Sequence, residues 1–75
     1  MFLVVMDEIR KKFLALPKKV ELDPVSLGLP AEVYNLLGSK KWDEQIKKNQ
    51  TYAIFEQLFT EGELILTGEG KVVRI

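Results

Sequence analysis

The sequence predicts an α+β fold in which several helices come first and a short antiparallel hairpin closes the chain. Apolar side chains recur at three- and four-residue steps through residues 52–59, which places them on one face of a helix. Gly62 follows this segment and favours a helix end, because glycine accepts the left-handed conformation found there. Two β-prone runs, 63–67 and 71–75, come next and are joined by a glycine-containing turn. We expect one domain over residues 1–75.

The amino-terminal part of the chain has the pattern of an amphipathic helix over residues 4–16, ended by Pro17. Val4 and Val5 are β-branched, so a short initial strand is an alternative for the first residues. The apolar stripe of this helix either covers the core or packs against a second copy of the chain. Its candidate dimer-interface residues are Phe2, Val5, Ile9, Phe13 and Leu16.

Residues 17–29 form a connector that is rich in helix-breaking residues. Within it, residues 19–22 are either a short strand or part of an irregular segment packed by its apolar side chains. Both interpretations remain open from the sequence.

Three further helices are predicted, over residues 30–37, 40–48 and 50–61. Pro30 suits a first-turn position, where its missing N–H has no helical partner. Ser39 and Asn49 are good amino-terminal caps for the two following helices. Trp42 and the aromatic residues at positions 52, 55 and 59 are interpreted as core residues, because their spacing is helical.

The composition argues against most enzyme chemistry. The chain has eleven basic and eleven acidic residues, and it has neither cysteine nor histidine. Disulfides and cysteine metal sites are therefore excluded, and the commonest general base is missing. The carboxylates occur as sequence neighbours, such as Asp43 and Glu44, and neighbouring side chains on a helix point in different directions. We expect no catalytic site, no metal and no cofactor.

The first six residues are all apolar, but they are too few to cross a membrane and lack the basic leader of a signal peptide. We therefore expect a cytoplasmic protein with no membrane partner. The abundance of lysine and glutamate, without cysteine or histidine, would suit a thermophile.

Residues 30–75 resemble a winged helix-turn-helix domain, while residues 1–29 would supply an extra amino-terminal helix and a connector. The segment from Glu32 to Trp42 looks like the first core helix and its turn, and residues 42–48 look like the second helix. Residues 49–58, NQTYAIFEQL, resemble a recognition helix. The stretch FTEGELI resembles the entry into a wing, and GEGK resembles the wing tip.

This resemblance implies a small, non-enzymatic regulator of transcription that binds duplex DNA. The start of the recognition helix would enter a major groove, and lysines around it would contact phosphates. The residues carried over by position to the groove or to the DNA backbone are Lys40, Lys41, Lys47, Lys48, Asn49, Gln50, Thr51, Tyr52, Lys71 and Arg74.

Two other functions stay open. A winged-helix module for protein–protein contacts in a replication or transcription assembly would suit the zero net charge, Ala53 and the acidic residues near the wing. It predicts stable association with a protein partner and no salt-dependent DNA affinity, and an exposed apolar patch at residues 2–4 would favour it. A plain structural or antitoxin-like small protein is the third possibility. A homodimer would suit the DNA-binding function, since it places two recognition helices one DNA turn apart.

Overall fold

Four α-helices precede a two-stranded antiparallel hairpin, so the α+β class is confirmed over the part of the chain that is described. The computed structural model describes the backbone of residues 2–75 and the side chains from Asp7 onward. The order is α1 (Phe2–Leu14), a 3-10 helix (Pro24–Leu27), α2 (Val33–Leu36), α3 (Lys40–Lys48), α4 (Gln50–Thr60), β1 (Leu64–Leu66) and β2 (Val72–Arg74).

Local capping explains why α3 and α4 begin and end where they do. The Ser39 hydroxyl accepts a hydrogen bond from the Trp42 N–H at 3.2 Å, and the Asn49 amide oxygen accepts from the N–H groups of Thr51 and Tyr52. Both caps agree with the sequence prediction. At the other end of α4, Gly62 has φ +83° and its N–H donates to the Phe59 carbonyl. The helix end predicted at this glycine is confirmed.

The bounds of α1 and α2 differ from the predicted ones. The first helix starts at Phe2 and ends at Leu14, so the alternative of an initial strand is wrong. The second predicted helix, 30–37, shrinks to Val33–Leu36. Pro30 lies outside it, in a preceding turn where its carbonyl accepts the Val33 N–H. Pro24 instead holds the first-turn position, at the start of the 3-10 helix.

The hairpin pairs Leu64 with Arg74, Ile65 with Val73 and Leu66 with Val72. The connector runs along the other edge of β2: Leu22 and Val72 exchange two backbone hydrogen bonds of 2.8 Å.

The connector also bonds β2 through Lys19, whose N–H donates to the Arg74 carbonyl at 2.7 Å. Lys19 has a left-handed backbone, φ +62°, and residues 18–22 form two isolated bridges without a continuous strand. Both sequence interpretations of this segment are thus partly right.

The core centres on Phe55 of α4, which is fully buried. Its ring lies 6.3 Å from that of Phe13, 6.4 Å from that of Trp42 and 6.0 Å from that of Phe59. Trp42 is also fully buried, which confirms its assignment to the core. The buried apolar residues are Phe13, Leu29, Val33, Trp42, Ile54, Phe55, Leu58, Leu64 and Val72.

Candidate functional site

Most candidate nucleic-acid contacts lie on α3 and at the start of α4, and the other two, Lys71 and Arg74, lie in the hairpin. Lys40, Lys41, Lys47 and Lys48 all lie on α3 and are exposed. Within residues 7–75 the only ion pair joins Arg10 to Glu61, at 3.5 Å, so these lysines have no carboxylate within 4.0 Å there. Their ammonium groups are free to bind phosphate. The pair in the last turn of α3 also stabilises that helix end through its dipole.

The first turn of α4 is half-buried, unlike the lysines of α3. Asn49 uses its amide oxygen to cap the helix, at 2.9 Å from the Thr51 nitrogen. Tyr52 stacks on Trp42 with ring centroids 5.3 Å apart and an angle of 16° between the rings. Gln50 and Thr51 keep part of their side chains accessible. Asn49 and Tyr52, both also expected to contact DNA, thus have the structural roles that the sequence predicts for them, a helix cap and a core aromatic.

Arg74 does not lie on the solvent-facing side of the hairpin. It lies two residues after the buried Val72, on the same face of β2, and is half-buried. Its guanidinium donates to the Leu16 carbonyl at 3.0 Å. Arg74 thus joins the hairpin to the segment after α1, which removes it from the expected DNA-backbone contacts. Lys71, at the end of the hairpin turn, is half-buried, and its backbone N–H bonds the Thr67 hydroxyl.

Glu56 has a structural role that the sequence did not reveal. Its carboxylate accepts a hydrogen bond from the indole N–H of Trp42 at 2.6 Å and another from the Thr60 hydroxyl at 3.1 Å. This carboxylate therefore ties α3 to α4. The nearby acidic residues Glu61 and Glu63 are exposed.

The expected dimer interface on α1 is largely part of the monomer. Phe13 is 4 % exposed and belongs to the core, so it cannot also cover a second copy. Ile9 and Leu16 are half-buried and pack against the same core. The side chains of Phe2 and Val5 lie outside the described residues, as do those of the exposed patch expected at residues 2–4.

A cavity of about 290 Å³ lies beside the start of α4. Its walls come from α1 and the segment just after it, from the 3-10 helix and from Thr51, three parts of the chain that are distant in sequence. Sequence reasoning missed this cavity because no single segment carries a pattern for it. The residues that line it are Ile9, Lys12, Phe13, Leu16, Ser26, Leu27 and Thr51.

Comparisons with known proteins identify no relative: no family model matches the chain, and neither curated proteins nor solved structures gave a match. No helix in the described part of the chain is long and apolar enough to cross a membrane. Among those residues, no group of three or more acidic side chains is placed to hold a metal ion.

Proposed function

We propose that this protein is a winged helix that binds duplex DNA as a small, non-enzymatic regulator of transcription. The observation that carries the proposal is the set of four exposed lysines on α3, which have no carboxylate within 4.0 Å among the described side chains. Two of them, Lys47 and Lys48, directly precede the start of α4. Lysines at such positions bind phosphates, while the exposed parts of Gln50 and Thr51 offer groups that contact bases or backbone.

The chain path gives further support to a winged arrangement. α4 leads into the hairpin through the turn at residues 61–63, and β2 lies between β1 and the connector. A recognition helix followed by a hairpin lets the helix enter a groove while the hairpin covers the neighbouring backbone. Lys71 at the hairpin turn is the cation that would contact that backbone.

The test is fluorescence anisotropy of a labelled mixed-sequence duplex of about 30 base pairs, long enough for two half-sites one turn apart. We expect micromolar binding at low salt that weakens steeply as salt rises, because lysines displace counterions from phosphates. The double variant Lys47→Ala, Lys48→Ala should reduce the slope of log K against log salt by about two.

The matched control is the double variant Lys11→Ala, Lys18→Ala, which removes the same charge from exposed lysines outside the proposed face. It should leave the salt slope nearly unchanged. Equal effects of the two double variants would mean that the binding is unspecific attraction to the whole surface. No binding at low salt would rule out the DNA-binding function.

A protein-interaction module is the second candidate, and one observation favours it. Ile65 and Val73 form a cross-strand pair, and Ile75 lies two residues beyond Val73 on the same face of the hairpin. Ile65 is 41 % exposed and Ile75 is 54 % exposed. Adjacent exposed apolar side chains of this kind are typical of contact surfaces.

The partner that can be tested directly is a second copy of the chain. If the hairpin face forms a dimer, light scattering should give a mass that rises with concentration in the wild type. The variant Ile65→Lys, Ile75→Lys should then stay monomeric, whereas Val20→Lys, Val25→Lys, at exposed valines of the connector and the 3-10 helix, should behave as the wild type. A monomeric wild type at all concentrations would exclude this homodimer.

A further inference from the structure

Among the described residues, the cavity between α1, the 3-10 helix and α4 is lined by one cationic side chain and by mainly apolar side chains. Its volume, about 290 Å³, is at the small end of ligand sites, roughly 300–1,000 Å³. Phe13 is buried, while Ile9, Leu16 and Leu27 are half-buried and leave apolar surface accessible in the cavity. These walls suit a short hydrocarbon chain or a single ring.

The polar groups of the cavity favour an anion. Lys12 is exposed and has no carboxylate within 4.0 Å among the described side chains, and no acidic residue lines the cavity. Its ammonium group can therefore pair with a ligand. A cationic ligand would be repelled by the same group, since nothing in the lining would offset its charge.

Two of the lining residues, Ser26 and Thr51, carry a hydroxyl group. The Ser26 hydroxyl already donates to the Asp23 carbonyl at 2.6 Å, so its proton is not available to a ligand. The Thr51 hydroxyl forms no hydrogen bond within the described residues and can donate one. The Thr51 N–H is bound to the Asn49 amide oxygen, which leaves the side chain as the donor at this position.

We propose that this cavity binds a small amphipathic carboxylate, with the carboxylate at Lys12 and Thr51 and the apolar part against Ile9, Leu16 and Leu27. Lys12 supplies the charge preference, and the apolar walls supply the affinity that an exposed ion pair alone does not. Burial of the hydrocarbon part leaves the charged end toward solvent, and Lys12 is an exposed residue of the lining.

The test is an NMR titration of the full chain with octanoate below its micellar concentration, so that single molecules are observed and not a lipid surface. We expect saturable shifts of the amide signals of Ile9, Leu27 and Thr51. Octanol, which has the same chain without the charge, should bind more weakly than octanoate. Shifts are measured on the free protein, so the result is independent of the DNA-binding function.

Two exposed neighbours on α1 give a matched pair of variants. Lys12→Ala should weaken octanoate binding about 3- to 5-fold, as expected for an exposed ion pair, whereas Lys11→Ala, outside the cavity, should change it less than about 2-fold. If both variants weakened octanoate binding equally, the binding would depend only on the overall charge of the protein. The proposed carboxylate site would then be wrong.

A blocking variant tests the location. Ser26→Phe places a ring at an exposed position of the cavity lining and should abolish the octanoate shifts, provided that its far-UV circular dichroism matches the wild type. Unchanged octanoate affinity in this folded variant would place the ligand elsewhere and overturn the proposal. Absence of saturable shifts in the wild type would overturn it as well.

Discussion

At the scale of single residues, the end of α4 depends on the left-handed backbone of Gly62. Its N–H donates to the Phe59 carbonyl, and the next N–H, of Glu63, donates to the Leu58 carbonyl at 2.9 Å. These two bonds form a Schellman motif, which satisfies carbonyls that would otherwise lack partners at the helix end. The motif also turns the chain into β1.

Gly62→Ala should lower the free energy of unfolding by about 1–2 kcal/mol, because a side chain disfavours φ +83°. No atom lies within 4 Å of the position that the new Cβ would take. The loss of stability would therefore come from the backbone conformation and not from a steric clash. Gly68→Ala is the matched control: its Cβ also meets open space, and its backbone is not left-handed. Urea unfolding should show little change for Gly68→Ala, and equal losses in both variants would contradict this explanation.

The Glu56 carboxylate gives a second prediction at this scale. Glu56→Ala should lower the free energy of unfolding by about 1.5–3 kcal/mol, because the buried Trp42 indole N–H loses a charged acceptor. Glu44→Ala, at an exposed position of α3, is the control and should change stability by less than about 0.5 kcal/mol. The measurement is urea unfolding followed by tryptophan fluorescence. If the Glu56→Ala variant were as stable as the wild type, water would replace the carboxylate as acceptor of the Trp42 N–H without loss of stability.

At the scale of elements, α1 packs on α4 through Phe13 and Phe55. The structure accordingly assigns this part of α1 to the monomer core, in place of the dimer interface that its apolar stripe also allowed.

Phe13→Ala should lower the free energy of unfolding by about 3–5 kcal/mol, because it removes a buried ring and leaves a cavity. For a domain whose total stability is about 5–15 kcal/mol, this is a large share. Ala15→Ser, at an exposed position just after α1, should be nearly neutral. Urea unfolding at several protein concentrations is the measurement. If Phe13→Ala weakened only the association of two copies and left the stability of the monomer unchanged, Phe13 would belong to a dimer interface.

The elements that the sequence predicted well are those with local determinants. α3 and α4 have the expected bounds to within one residue because Ser39, Asn49 and Gly62 act on their immediate neighbours. The connector could not be resolved in this way. Leu22 pairs with Val72, fifty residues later, and such pairing leaves no mark in the local sequence.

The candidate site also depends on contacts between distant residues, which the local sequence does not predict. Residue type and order along the chain suggested that the first turn of α4 contacts DNA, but they could not show that Tyr52 stacks on Trp42 or that Arg74 bonds the segment after α1. The cavity depends on Lys12, Ser26 and Thr51 coming together, and only the tertiary structure brings them there.

At the scale of the whole molecule, the zero net charge means that any DNA binding depends on a local surface and not on the overall field. The molecule extends 34 Å along its longest axis, close to one turn of B-DNA at about 34–36 Å. In the proposed DNA-binding mode each copy has one recognition helix and would occupy one major groove, so two successive grooves would require a pair of copies.

Thr51 belongs both to the cavity and to the proposed DNA-binding face, so the two ligands should compete. Octanoate at about ten times its dissociation constant should raise the apparent Kd for DNA about tenfold if binding is mutually exclusive. The effect should be smaller in Lys12→Ala and unchanged in Lys11→Ala, as measured by anisotropy at constant ionic strength. Octanoate binding without any change in DNA affinity would mean that Thr51 does not contact DNA.

Asn49 is the whole connection between α3 and α4: its N–H donates to the Gln45 carbonyl at the end of one helix, and its side chain caps the other. A one-residue junction does not tolerate insertions or deletions. Adding one residue would rotate α3 by about 100° relative to α4 and carry Trp42 out of the core. We therefore expect homologous chains to vary in length within the connector and at the hairpin turn, and to keep the spacing between Trp42 and Phe55 unchanged.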